Sequence, residues 1–176
     1  NHRVKNNLQM MASFLNMQRR RTTNPETIQA LAEIHTRVAS LAPAHDILST
    51  ENTGLTTVEA IARNVGKIVE ADLLPREKRI VLDTADATAR ISSEKASLLA
   101  LVLNELICNA VEHGMARRAT GRIAVSARSL DDDAGTVEIE VGDDGQGPPA
   151  GFALEFSARL GLSIVQRLVC EQLAGT

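Results

Sequence analysis

Three short stretches of this sequence hold residue types that bind phosphates. The first is Asn104-Glu105-Leu106-Ile107-Cys108-Asn109-Ala110, followed shortly by Glu112 and His113. At helical spacing Glu105, Asn109 and Glu112 share one face. A carboxylate and an amide oxygen are hard ligands that suit Mg²⁺ carried by a nucleotide. Alone, the same stripe reads equally as the solvated face of an amphipathic helix. The second stretch is Asp143-Asp144-Gly145-Gln146-Gly147. Its glycines let the backbone approach a ligand or take a positive φ, and a carboxylate at a strand end accepts a hydrogen bond from an exocyclic amine. Asp-Gly pairs are also ordinary turn chemistry. The third is Leu160-Gly161-Leu162, where glycine opens a helix whose free N–H groups and partial positive charge favour phosphate.

A histidine that could act as a nucleophile stands at the other end of the chain. His2 begins the octet His2-Arg3-Val4-Lys5-Asn6-Asn7-Leu8-Gln9, with Asn6 one helical turn further on. A neutral imidazole nitrogen can attack a γ-phosphoryl group in line. A histidine on a polar helix face is otherwise only a surface group, and His35 and His45 read that way.

The elements that must position these residues fall into two textures. The first fifty residues predict two long helices. Val4, Leu8, Met11 and Leu15 form one stripe, and Ile28, Leu31, Ile34, Val38, Leu41 and Leu48 another. Arg19, Arg20 and Arg21 suit the first helix C-terminus. Asn24 suits an N-cap and Pro25 the first helical position, while Pro43 predicts a kink or break. Such a hairpin has a greasy face to bury and is expected to dock on a second hairpin, from a twin or another domain. Ser49 to Gly54 reads as a linker. Beyond it, helices are expected over Val58–Val69, Ser92–His113 and Leu160–Leu173. Strands are expected over Arg79–Thr84, Thr88–Ile91, Arg122–Arg128 and Thr136–Val141, and a loop over Asp143–Gly151. That order predicts helices packed on one face of a sheet.

Composition excludes several classes. Nineteen basic against 22 acidic residues give a net charge of −3, without the basic surplus a general nucleic-acid binder needs. There is no Trp or Tyr, and only Phe14, Phe152 and Phe156 could stack on bases. The longest apolar run, Leu98 to Leu103, is far short of a membrane span. Cys108 and Cys170 cannot build a disulfide framework, which fits a reducing cytoplasm, and no zinc-ligand spacing occurs. Because it opens on Asn1 rather than Met, the chain reads as a piece of something longer.

In this order and spacing the three phosphate-binding stretches resemble the nucleotide-binding domain of the GHKL superfamily, the Bergerat fold of histidine kinases, gyrases and related ATPases. Asn104 to Ala110 resembles the N-box, Asp143, Gly145 and Gly147 the first glycine box, and Leu160, Gly161 and Leu162 the second. The octet at His2 resembles the phosphoacceptor segment of sensor histidine kinases of the second HisKA class. The resemblance implies an α+β chain: a two-helix hairpin over 1–50, of four-helix-bundle type when paired, then a Bergerat-type α/β sandwich over 51–176 with helices on one face of a mixed sheet. It implies ATP and Mg as cofactors, Asn109 as the Mg²⁺ ligand, Glu105 beside the triphosphate and Asp143 on the adenine amino group. Asn104, Gly145, Gly147, Leu160, Gly161 and Leu162 complete the nucleotide site. His2 is then the phosphorylated nucleophile, and Asn6 orients water for phosphatase activity. The implied partners are a response regulator receiver domain and an upstream sensory domain, with the chain a homodimer or a monomer.

Several positions depart from the family pattern. Arg3 follows His2 where many kinases carry an acid. Glu112 stands where lysine is common, so Arg117, Arg118 or Arg159 would supply positive charge. Ser157-Ala158-Arg159 replaces a G-x-G, and the stretch from Pro148 to Arg159 is short for an ATP lid. One family strand is expected beyond Thr176. Two other functions share these features: a histidine phosphotransfer scaffold with a degenerate nucleotide site, and a GHKL protein-serine kinase.

Overall fold

The computed structural model describes residues 2–50, 54–75, 77–130, 136–148, 160–173 and 175, with side chains described outside 2–6, 42–50 and 160. Two helices lead: α1 (His2–Arg21) and α2 (Pro25–Thr50). Asn24 caps α2 as its side chain predicts, Oδ1 accepting from the Thr27 amide at 3.0 Å while its carbonyl accepts from Ile28. The break expected at Pro43 is absent; α2 is helical through that position. The linker is correspondingly shorter at its start, since α2 runs to Thr50, and residues 51–53 lie outside the described set.

The rest of the chain runs β1 (Leu55–Thr57), α3 (Val58–Leu73), β2 (Arg79–Asp83), β3 (Arg90–Ser92), α4 (Ser93–Asn109), β4 (Thr120–Ser129), β5 (Val137–Asp143) and α5 (Leu160–Arg167). The main sheet has the order β2-β4-β5, parallel between β2 and β4 and antiparallel between β4 and β5, so it is mixed as expected. Strand β3 does not join it. It pairs antiparallel with β1, a three-residue strand too short to leave a sequence pattern.

Helices cover one sheet face. Ile123, Val125 and Ala127 of β4 alternate inward and are buried against Val58, Ile61, Val65 and Val69 of α3 and Leu99, Leu103 and Ile107 of α4 in one core. Val81 on β2 points outward and is 63% exposed, the alternation of a sheet with one wet face. By length and composition, Ser93–Gly114 could also cross a membrane; here it is the central core helix.

The hairpin docks differently from expectation. Its neighbours within the chain are α3 and α4. The residues of α2 that become buried are Ala32, Thr36 and Ser40, spaced four apart, whereas Ile28 and Ile34 of the expected apolar stripe stay exposed. Small side chains let two helices approach closely, and the hydroxyls of Thr36 and Ser40 satisfy themselves on the carbonyls of Glu33 and Arg37 at 2.8 and 2.9 Å. On α1, Met11 from the expected stripe is 57% exposed.

Candidate active site

Helix α4 is the spine of the site. Asn104 and Glu105 fall on its buried side, 1% and 3% exposed. The Asn104 Oδ1 and Asn109 Nδ2 atoms are buried without a hydrogen-bond partner among the described residues. Orphaned buried amides are rare in folded proteins, and these two lie on the helix that carries the first motif.

After Asn109 the helix widens into a π-turn over Ala110–Gly114, closed by the Met115 amide on the Ala110 carbonyl at 2.8 Å. Such turns often mark functional sites. This one delivers Gly114 against the Asp143 loop. A Cβ on Gly114 would sit 2.9 Å from the Asp143 Cγ, and one on Gly145 would sit 2.5 Å from the Gly114 carbonyl carbon. The Gln146 amide donates to the Gly114 carbonyl at 3.1 Å, and its Nε2 to the His113 carbonyl at 2.9 Å. Asp143 itself accepts the Gly145 amide on Oδ1 at 2.8 Å, so the carboxylate is held in one orientation. Gly147 has φ +68°, a conformation that favours glycine. Gly145 is needed for space.

The other end of the motif helix meets α5. A Cβ on Gly161 would overlap Oε2 of Glu105 and lie 3.7 Å from Nη2 of Arg37. Thus the three stretches converge on α4, with Glu105 toward Gly161 and Gly114 toward Asp143. Leu162 is half-buried beside Gly161, while the Leu160 side chain lies outside the described residues. His2 and Asn6 occupy the first turns of α1, one helical turn apart; their side chains also lie outside the described residues.

Arg37, on α2, carries no motif signal, yet it pairs with both oxygens of Glu105: Nε to Oε1, and Nη2 to Oε2 at 2.9 Å. Its guanidinium pKa is raised, chiefly by that hydrogen bond. A planar fork matches a carboxylate in this way, and removing one partner of such a buried pair typically costs about 3–5 kcal/mol. Partial exposure of Arg37 places this pair toward the lower end of that range. A second clamp joins the hairpin to α3: Asp72 lies 2.6 Å from His35 Nδ1 and 3.7 Å from Arg19.

Two expectations about charge change in this light. Glu112 faces Gln29, Glu33 and Arg37 of α2, and burial raises its pKa above the ordinary carboxylate value. Arg118 is engaged by Asp144, 3.5 Å from its carboxylate and donating to its carbonyl, while Arg159 lies outside the described residues. Cys108 is core, as its apolar setting suggests, and burial pushes its thiol up to about 12. A cavity of about 260 Å³ lies between α3 and β2, and none of Glu105, Asn109, Asp143 or Gly161 lines it.

The donor set fits a magnesium-bound nucleotide. Magnesium usually takes few protein ligands and several from phosphates and water. Asn109 would supply one such ligand through its amide oxygen, and the Asp143 carboxylate, held by the Gly145 amide, is left to the nucleotide. A helix-on-sheet layer with these motifs converging on one helix defines a histidine kinase-type ATPase fold.

Known proteins agree. Residues 1–71 match the HisKA_2 histidine kinase family, and residues 69–171 match the histidine kinase-like ATPase domain family. The chain belongs to the latter family, with the match to the histidine kinase family lying ahead of it. It is 36% identical over 176 residues to the sensor histidine kinase PdtaS of Mycolicibacterium smegmatis, and to that of Mycobacterium tuberculosis, covering 99% of this chain and 34% of each relative. The histidine kinase domain of an Erythrobacter litoralis blue-light activated histidine kinase shares the fold, with a TM-score of 0.62 at 18% identity over 94% of this chain and 84% of that one. A longer structure of that kinase gives 0.62 at 21% identity, over 96% and 53%.

Proposed function

We propose that this chain is the catalytic core of a sensor histidine kinase. It binds Mg·ATP, transfers the γ-phosphoryl group to His2, and passes it to an aspartate on a response regulator receiver domain. The observation that carries this reading is the meeting of Glu105 on α4 with Gly161, and of the π-turn that continues α4 beyond Asn109 with Asp143 and Gly145.

In this reading Asp143 accepts the adenine amino group, and the orphaned amide of Asn109 turns its oxygen to Mg²⁺. When bound there, the metal would offset phosphate charge. The α5 N-terminus receives the triphosphate through its free N–H groups. An imidazole nitrogen of His2 forms a bond to the γ-phosphorus as the bond to the β-bridging oxygen breaks, and ADP leaves. The chain contributes position and electrostatics. Residues 1–50 form the dimerisation and phosphotransfer hairpin and 51–176 the ATP-binding domain, and movement of the hairpin relative to that domain carries His2 to the nucleotide. Asn6 orients water for dephosphorylation. A second copy of the chain covers the hairpin, whose Met10, Phe14 and Met17 are 65%, 55% and 47% exposed at one helical face. A cytoplasmic location and a sensory domain elsewhere in the same polypeptide complete the reading.

Incubation with γ-labelled ATP is expected to give an acid-labile, alkali-stable phosphoryl label. His2→Gln abolishes it. Equal labelling of that variant removes His2 from the mechanism, and a wild-type chain that gives no heat with Mg·ATP in calorimetry returns the phosphotransfer scaffold to first place.

A further inference from the structure

The Arg37–Glu105 pair ties together two parts of the chain that the proposed reaction must move relative to each other. Glu105 is 3% exposed, and among the described residues Arg37 is the side chain that grips both of its oxygens. Gly161 opens α5 against the same carboxylate, 3.7 Å from the Arg37 guanidinium by a Cβ built there. A cation from the hairpin therefore stands at the end of the site where α5 begins.

A buried carboxylate facing a helix N-terminus opposes the approach of a polyanion. Coulomb repulsion at this depth is poorly screened by water. Glu112, at the position where lysine is common, adds no positive charge and faces α2. The positive charge comes instead from α2, across 68 residues of sequence. The docking that brings it is built in: Ala32, Thr36 and Ser40 pack the helix close, and Asp72 holds Arg19 and His35.

We propose that Arg37 is a positioning residue for the nucleotide: acting through Glu105, the hairpin neutralises and orients the N-box carboxylate so that the α5 end of the site admits a triphosphate. This rests on the ATP-site reading above. Hairpin docking and nucleotide affinity are then one linked equilibrium, because each favours the same arrangement of Glu105.

The test is a double-mutant cycle on the full chain, with Mg·ATP binding read by calorimetry and folding checked by circular dichroism. Arg37→Ala weakens binding by roughly tenfold, the effect of one partly screened charge. In the Glu105→Gln background the same change alters Kd by less than about twofold, since a neutral amide needs no counter-charge. Arg37→Lys, which keeps the charge and loses the fork, falls between. The rate of His2 labelling at saturating ATP drops less than about threefold in Arg37→Ala, because the loss is in binding. Unchanged or tighter binding by Arg37→Ala overturns the proposal, the latter meaning that the docked hairpin masks the site. Equal weakening in both backgrounds also overturns it, by showing that Arg37 acts independently of Glu105. A wild-type chain that binds no Mg·ATP removes the ATP-site reading itself, a result visible before any variant is compared.

Discussion

Glu112 shows how one side chain's surroundings set its cost. Burial raises its pKa, with the nearby carboxylate of Glu33 adding to the effect and Arg37 opposing it. The folded chain thus holds that proton to higher pH than the unfolded chain does. Stability falls as pH rises from the ordinary carboxylate value of 4.5 through the raised one, and the cost is complete above it. Glu112→Gln is expected to raise Tm at pH 8 by about 2 °C and to give no gain near pH 3, well below the ordinary carboxylate value, where the carboxyl is protonated in both states. A gain of equal size at both pH values means that the charge is not the source. At this scale much was legible. Asn109, Asp143 and Gly161 are picked out as candidates by the family resemblance of their stretches, since each alone reads as ordinary helix or turn chemistry. Arg37 is not, since an arginine on an amphipathic helix has the same signature whether it meets water or a carboxylate.

Among the elements, α4 does the most. It supplies the core with Leu99, Leu103 and Ile107 and the site with Asn104, Glu105 and Asn109. Its stripe had two readings in sequence, a wet face or a ligand face. Tertiary packing chose by burying Asn104 and Glu105, the latter against Arg37 of α2 and Gly161 of α5. The π-turn after Asn109 was not legible, because it arises where Gly114 must meet Asp143 and Gly145, contacts about thirty residues away. The packed face of α2 is legible only in part, for a related reason: Leu31, Val38 and Leu41 of the apolar stripe are half-buried, while Ile28 and Ile34 are exposed. Periodicity finds large apolar residues, whereas the α2–α4 contact selects small ones at Ala32, Thr36 and Ser40. Ser40→Leu is therefore expected to overpack this contact by about 1–3 kcal/mol. It should lower Tm by several degrees and speed amide exchange along α4. An unchanged exchange pattern would show that α2 does not protect that helix.

Across the whole molecule, the hairpin holds two commitments at once. One face is clamped to the ATP-binding domain through Arg37, His35 and Arg19. Another leaves Met10, Phe14 and Met17 open at four- and three-residue spacing. Phe14→Glu places a charge in the proposed twin interface and is expected to yield a monomer by light scattering where the unaltered chain is a dimer. If the unaltered chain is itself a monomer at the same concentration, the face does not pair with a twin.

The order of the longer elements and the one covered sheet face follow from local patterns, side-chain period and the caps at Asn24 and Pro25, and the candidate nucleotide-binding residues stand out through the family resemblance of their stretches. These are short-range properties, carried by neighbours along the chain. Which helix face docks, which cation answers Glu105 and where α4 widens were settled only by folding. Each depends on groups tens of residues apart meeting in a low-dielectric interior, where shape and unpaired charge carry energies that no local pattern encodes.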